Sequence, residues 1–237
     1  MEDWQARTKL LLSDEQAERL EAAHIAVFGI GGVGGYVAEA LARSGIGHLT
    51  LIDHDTISVS NLNRQIIATR EHIGEFKVDV MKERILSINP EAEVQVFHCF
   101  FLPGEPAEFF PLSQYSYVVD AIDTVSAKIE LACLAQQESF RLISSMGTGN
   151  KMDPSRFRVA DVYETRVCPL AKVMRKELRA RGIDRLKVVY SEEEPLAPRI
   201  QIREGTRRSV PGSISFVPAA AGLVIAGEVI KDLINLA

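Results

Sequence analysis

The stretch that most constrains this chain runs from Val27 to Asp55, VFGIGGVGGYVAEALARSGIGHLTLIDHD. An apolar run, Ile25 to Phe28, meets a glycine cluster, and a helical pattern then continues to Arg43. Gly29, Gly31 and Gly34 keep the G-x-G-x-x-G spacing, with Gly32 inside the same turn. In that spacing the first glycine permits a sharp turn, the second lets backbone approach a phosphate, and the third lets the helix pack close to the strand. The phosphate then faces a helix N-terminus, where free N–H groups and the helix dipole favour an anion. A second run, His48 to Ile52, ends in Asp53. An acid at the tip of the second strand is placed to accept hydrogen bonds from ribose hydroxyls. The plainer alternative is a glycine turn in an ordinary α/β protein; the order strand, glycines, helix, strand, Asp weighs against it. The chain is expected to bind a nucleotide.

The residues after Asp53 bear on the kind of nucleotide chemistry. The polar loop DHDTISVSNLNRQ packs Asp55, Asn61, Asn63, Arg64 and Gln65 together, and Lys77 opens a helix expected from Gly74 or Glu75 to about Ile88, where Asn89-Pro90 stops it. Glu93 to His98 alternates as a third strand, and Tyr117 to Asp120 is a fourth, ending in DAIDT with Asp120 and Asp123 at its carboxyl end. A helix from about Thr124 to Glu138 and a strand from Arg141 to Ser145 come next. Upstream, Ser13 with Gln16 forms a capping box for a helix to about Ala22, and Arg7 lies just ahead of it. The pattern predicts an α/β, Rossmann-like doubly wound and mostly parallel sheet, with ligands beyond the carboxyl ends of the strands. Nucleotidyl transfer needs charge neutralised at the phosphate under attack; Arg64 and Lys77 are placed to clamp it while Asp123 holds a magnesium ion. Hydride transfer needs none of these. Taken singly, Arg64 and Lys77 also read as solvated charges, and Asp123 as a helix N-cap.

Charge sharpens the expectation. The chain of 237 residues carries a formal −5, yet residues 151–210 hold four Lys and eleven Arg against three Asp and six Glu, leaving the remainder at −11. That asymmetry suits a polyanionic partner. Leu170 to Arg181 reads as a helix with Lys172, Arg175, Lys176, Arg179 and Arg181 at three- and four-residue spacings, a basic surface matched to RNA phosphates. A solvated helix face is the alternative, and Arg207 and Arg208 extend the patch only if the acidic stretch Glu192 to Glu194 does not intervene. Cys99, Cys133 and Cys168 are odd in number, far apart and without a C-x-x-C pair, which suggests a reducing compartment, here the cytoplasm, and no structural zinc. The charged N-terminus has no apolar signal core. A single domain over 1–237 is expected, with its nucleotide-binding core at about 23–147 and a basic, substrate-facing insertion at about 151–210. A strand, Ser213 to Val217, and a helix, about Ala219 to Asn235, are expected to close the chain, packed on the sheet or at a dimer contact. That final apolar stretch is short for a membrane span, leaving peripheral membrane association as the minor alternative.

GIGGVG, LIDHDTISVSNLNRQ, FKVDVMKERI with INP after it, and VVDAIDT together resemble the ubiquitin-activating-enzyme-like superfamily of adenylating enzymes, across about Arg7 to Gly147. The resemblance implies ATP-dependent adenylation of a carboxylate. Asp53 would bind the ribose, Asn61, Arg64 and Lys77 the phosphates, and Asp123 the magnesium. Arg7 would reach into the ATP site of a neighbouring subunit in a homodimer. Within the superfamily, branches that adenylate a Gly-Gly tail typically carry two C-x-x-C zinc pairs, which are missing here. YSYVVDAIDTVSAK, DPSRFRVADVYET, CPLAKVMRKELRARGI and GSISFVPAAAGLVIAGEVIKDLI are similar instead to the tRNA threonylcarbamoyladenosine dehydratases, over almost the whole length. That family activates the carboxylate of the threonylcarbamoyl group beside the anticodon, and the modification closes to a cyclic form with loss of water. A monovalent cation and a sulfur-relay or redox partner protein are further candidates. Some members carry a cysteine before the final apolar stretch; here the segment reads RRSVPGS from Arg207 to Ser213, which speaks against a covalent step there. Cys168, beside the basic helix, reads as a packing residue before a nucleophile. The competing functions are activation of a Gly-Gly-tailed sulfur carrier, a nicotinamide-dependent dehydrogenase and, last, a non-catalytic binding module.

Overall fold

The computed structural model describes residues 3–104, 109–200 and 210–236. Seven strands form one sheet: β1 (His24–Phe28), β2 (His48–Ile52), β3 (Glu93–Phe97), β4 (Tyr117–Asp120), β5 (Leu142–Ser145), β6 (Phe157–Asp161) and β7 (Lys187–Ser191), in the order β3-β2-β1-β4-β5-β7-β6. All neighbours are parallel except β6 and β7. The helices are α1 (Asp14–Glu21), α2 (Gly34–Arg43), α3 (Lys77–Ile88), α4 (Val125–Glu138), α5 (Pro169–Ala180) and α6 (Phe216–Leu233). The expected class is the one observed, and the chain reverses direction between β1 and β4, which makes the gap beyond their carboxyl ends the switch point where such sheets hold ligands.

The central strands are apolar on both faces because both faces are covered. Ile25 and Val27 of β1 join a core with Leu41 of α2, Met81 of α3 and Ile225 of α6, while Ala26 and Phe28 point into a second core with Leu131 of α4 and Met174 of α5. Phe28 meets Phe101 and Phe109 edge-on at 5.3 and 5.4 Å, which ties the segment after β3 to the sheet. The Ser13–Gln16 capping box forms as expected, each side chain bonding the other's backbone N–H at 3.2 and 3.0 Å.

Two features differ from the sequence reading. The basic region is no insertion beside the sheet: Phe157–Asp161 and Lys187–Ser191 extend the sheet itself, β7 pairing with β5 and β6 folding back against β7. At the other end, Ser213 to Val217 forms no strand, and α6 begins at Phe216. Both edges of β5 are already occupied, by β4 and β7. The segment spends its backbone on loops instead: Gly212 donates to Asn150 Oδ1 and its carbonyl accepts the Asn150 N–H, both at 2.7 Å, and the Ser213 carbonyl accepts from Asn63 Nδ2 at 3.0 Å.

Candidate active site

The glycine turn after β1 lies against the turn after β4. Gly29 holds φ +88°, donates its N–H to the Ile52 carbonyl at 2.8 Å, and would place a Cβ only 2.7 Å from the Ala121 carbonyl oxygen. At Gly34 a Cβ would sit 1.8 Å from the Gly29 carbonyl oxygen, so α2 can start this close to β1 only with glycine there. Gly31 is uncrowded by comparison; the nearest atom to a Cβ would be Gln65 Nε2, in ordinary contact at 3.9 Å. Gly32 faces Pro218 of α6 and the stem of Arg64. The turn is closed at Gly29 and Gly34, where α2 packs against β1, and less crowded at Gly31.

Asp53 is anchored to this turn. Its Oδ2 accepts the Ile30 N–H at 2.6 Å and its Oδ1 the Asp55 N–H at 2.9 Å, so the carboxylate is aimed before any ligand arrives. Lys77, buried at the start of α3, donates to Asp55 Oδ2 at 2.6 Å. Half-buried Arg64 donates through one Nη1 to the Ser60 carbonyl at 2.8 Å and to Asn63 Oδ1 at 3.0 Å. Gln65 is 6% exposed, and its Oε1 is the one buried side-chain polar atom without a partner among the described residues. An orphaned acceptor costs free energy, and the amide that carries it lies at the glycine turn, its Nε2 being the atom nearest to where a Cβ on Gly31 would be. Asp123 is exposed, and its only partner among the described residues is the Thr124 hydroxyl at 3.3 Å.

These residues fit a nucleotide with its cation. Gln65, beside Gly31, carries an acceptor without a partner, and Asp123 is an exposed carboxylate free to ligate. Asp53, His54 and Asp55 also bring ligand atoms within 4.8 Å of one another. Asp53 is already bonded through both oxygens and Asp55 is held by Lys77, so a cation there would have to displace the lysine; Asp123 is the less encumbered ligand.

Other expected residues take different roles. Asn61 is buried and caps its own turn, its Oδ1 accepting the Ser58 N–H at 3.0 Å, so its carbonyl end is committed to holding the loop. Arg7 does not join its own chain's site: it is exposed, and Gln5, two residues before it, packs at Gly45, beyond the far end of α2 from the glycine turn. On α5 the basic set divides. Lys172 and Lys176 are exposed and make no hydrogen bond or ion pair among the described residues, while Arg175 donates to the Thr165 carbonyl at 2.8 Å and to its hydroxyl. Arg179 stacks over the Tyr163 ring at 5.0 Å, and Arg181 pairs with Glu177 at 2.8 Å. Arg207 and Arg208 lie outside the described residues. Cys168 is 1% exposed, in keeping with packing.

Sequence reasoning missed three features at this edge. Pro218 backs Gly32, and Asn150 fastens the 210–215 segment across the site; neither belongs to a motif that marks it. Lys128 of α4 pairs with Asp120, fully buried, behind the β4 turn. Nearby, buried Lys151 donates to the Glu193 carbonyl at 2.5 Å; burial lowers its pKa below the ordinary lysine value.

The fold and this edge define a nucleotide-binding α/β protein with a phosphate-directed site at the sheet's switch point. The ThiF family model matches residues 5–236, and the chain belongs to that family. It is 41% identical over 244 residues to the tRNA threonylcarbamoyladenosine dehydratase of Bacillus subtilis (strain 168), an alignment covering 97% of this chain and 94% of that protein. Identity to the Escherichia coli (strain K12) dehydratase is 36% over 253 residues, with the same coverage of 97% and 94%. The crystal structure of the E. coli enzyme in complex with AMP matches with a TM-score of 0.87, covering 99% of this chain and 96% of that one, and its complex with ATP matches at 0.86.

Proposed function

We propose that this chain is an ATP-dependent adenylating enzyme that cyclises threonylcarbamoyladenosine in tRNA by dehydration. The observation that carries the reading is the glycine turn after β1, packed against the turn after β4 and with the Asp53 carboxylate anchored to it, in a chain similar over nearly its whole length to dehydratases of that name. The similarity to a solved complex with ATP supports ATP as the nucleotide.

In this reading a carboxylate oxygen of the threonylcarbamoyl group bonds to the α-phosphorus, and the bond to pyrophosphate breaks. The substrate's own carbamoyl group then closes on the activated carbonyl carbon, giving up one N–H proton, and AMP leaves, so the oxygen lost from the carboxylate departs on the nucleotide and no enzyme nucleophile is required. Asp53 orients the ribose. Lys77 exchanges Asp55 for phosphate, and Arg64 swings its guanidinium from the Ser60 carbonyl to the charge that develops at phosphorus. Donors aimed at developing charge contribute about 10²–10³ in rate each. Magnesium, with Asp123 as its protein ligand, would supply further charge neutralisation to the phosphates. Arg7, remote from its own site and followed by Leu10 and Leu11, which are 81% and 85% exposed, fits a segment that docks on a second copy and completes that copy's site. Lys172 and Lys176 are the cations we assign to the tRNA backbone. The three free cysteines suit the reducing cytoplasm, and no helix among the described residues is long and apolar enough to cross a membrane.

The test is AMP release with ATP and magnesium, comparing tRNA that carries the open modification with a small Gly-Gly-tailed carrier protein. Release driven by tRNA and lost in Arg64→Ala and Asp123→Ala is the expected result. Release driven only by the carrier protein moves the assignment to the sulfur-carrier branch.

A further inference from the structure

Behind the β4 turn lies a charged cluster with no access to solvent. Asp120, the last residue of β4, is 0% exposed and Lys128 is 1% exposed. Lys128 Nζ lies 3.0 and 3.1 Å from the two carboxylate oxygens, donates to the Ser145 carbonyl at 2.8 Å, and lies 3.4 Å from Ser144 Oγ. Ser144 Oγ donates to Asp120 Oδ2 at 2.5 Å, and the Ile122 N–H donates to Asp120 Oδ1 at 3.1 Å. One ammonium thus ties the end of β4, the end of β5 and the first turn of α4. Neither packing nor helix electrostatics calls for it. A buried ion pair is commonly no better for stability than apolar residues of the same size, and a cation near a helix N-terminus opposes the dipole.

The cluster does act on the three residues that matter at the crevice. The Ala121 carbonyl oxygen and the Ile122 nitrogen are the atoms that wall in Gly29, at 2.7 and 3.1 Å from where its Cβ would be. Asp123 is the next residue and projects from the same turn into solvent. The opposite wall is built the same way: there the Asp53 carboxylate holds the Ile30 and Asp55 N–H groups. Both walls are set by a carboxylate gripping main-chain N–H groups, and on the β4 side the carboxylate is itself fixed by Lys128.

We propose that Lys128 is the positioning residue of this site: it locks Asp120, Asp120 holds the Ile122 N–H, and the turn so fixed presents Asp123 to a magnesium–nucleotide complex. The inference rests on the reading of Asp123 as the magnesium ligand. Outer groups that orient a metal ligand typically contribute 10- to 100-fold to metal affinity, and an indirect hold through backbone belongs at the low end, about 10-fold.

Calorimetric titration of ATP with and without magnesium, on the full chain and without tRNA, tests this apart from activity. In the wild type magnesium tightens ATP binding. Asp123→Asn loses that gain, and Lys128→Met reduces it about 10-fold, with ATP binding in the absence of magnesium changed by less than about threefold. Lys128→Arg keeps most of the gain. In the Asp123→Asn background, adding Lys128→Met costs nothing further, as required when two residues act through one contact. Should Lys128→Met not fold with Asp120 left stranded, Asp120→Leu/Lys128→Met removes both charges and carries the same expectation. A folded Lys128→Met or Asp120→Leu/Lys128→Met protein that retains the magnesium gain while Asp123→Asn loses it overturns the inference and leaves the Asp123 reading intact. A wild type indifferent to magnesium overturns both.

Discussion

At the scale of single residues, what distinguishes this site is how its groups are held before a ligand arrives. Lys77 is buried with its ammonium at 2.6 Å from Asp55, so little reorganisation separates the resting pair from a lysine bound to phosphate. Lys77→Ala is expected to lower kcat/KM at least about 100-fold while the thermal midpoint moves by only a few degrees, because the Asp55 left behind is half exposed and solvated. Steady-state kinetics beside a melting curve checks both halves. Gly34→Ala is the converse case. The added Cβ meets the Gly29 carbonyl oxygen at 1.8 Å, and relieving that overlap moves α2 away from β1, at a cost of about 1–3 kcal/mol or more and with loss of ATP binding. A Gly34→Ala protein that binds ATP with wild-type affinity contradicts the assignment of the glycine turn.

At the scale of elements, legibility in the sequence depends on the range of the interaction that fixes each element. The glycine turn, Asp53 and the helix opened by Lys77 are specified by neighbours in the chain, and they stand where the spacing places them. The segment 213–217 reads as a strand because Ile214, Phe216 and Val217 are apolar; what it lacks is a free edge on β5, which β7, more than twenty residues upstream, already occupies. The roles of Lys128 and Pro218 are likewise illegible, since each depends on what another segment brings beside it: Ser144 and Ser145 for Lys128, Gly32 for Pro218. The basic helix shows how spacing alone overcounts. Its five cations lie at helical intervals, but Arg175 is drawn into Thr165, Arg179 over Tyr163 and Arg181 into Glu177, leaving only the Lys172 and Lys176 ammoniums without a partner among the described residues. Lys172→Glu/Lys176→Glu is therefore expected to raise the KM for tRNA about 10-fold or more and to flatten its salt dependence, with ATP binding unchanged. Arg175→Ala is expected to lower the thermal midpoint instead, because it leaves the buried Thr165 carbonyl and hydroxyl short of a donor. The two variants, assayed together for tRNA KM and stability, separate a docking face from a structural one.

The whole molecule is held by charge pairs distributed around the sheet, and they set its response to acid. Glu39 of α2 is buried, which by itself would raise its pKa, but the guanidiniums of Arg84 on α3 and Arg43 hold the carboxyl below its ordinary 4.5. Asp232 of α6, also buried in part, is held below 3.8 chiefly by Lys187, whose own pKa burial would lower but the facing carboxylates raise. Carboxyls depressed in the folded state contribute stability that is present above their unfolded pKa values and lost as pH falls through the folded ones. The thermal midpoint is expected to decline below about pH 4.5, and Glu39→Gln to start lower near pH 7 and to decline less steeply on acidification. A midpoint that falls equally in wild type and Glu39→Gln shows that this clamp is not part of the acid response.

The most direct measurement of the central claim is the mass of the modified nucleoside recovered from tRNA after incubation with the purified protein, ATP and magnesium. The account predicts conversion of threonylcarbamoyladenosine to a species lighter by one water, one AMP released per conversion, and neither product in Asp123→Ala. Unchanged nucleoside mass in the presence of bound ATP contradicts it.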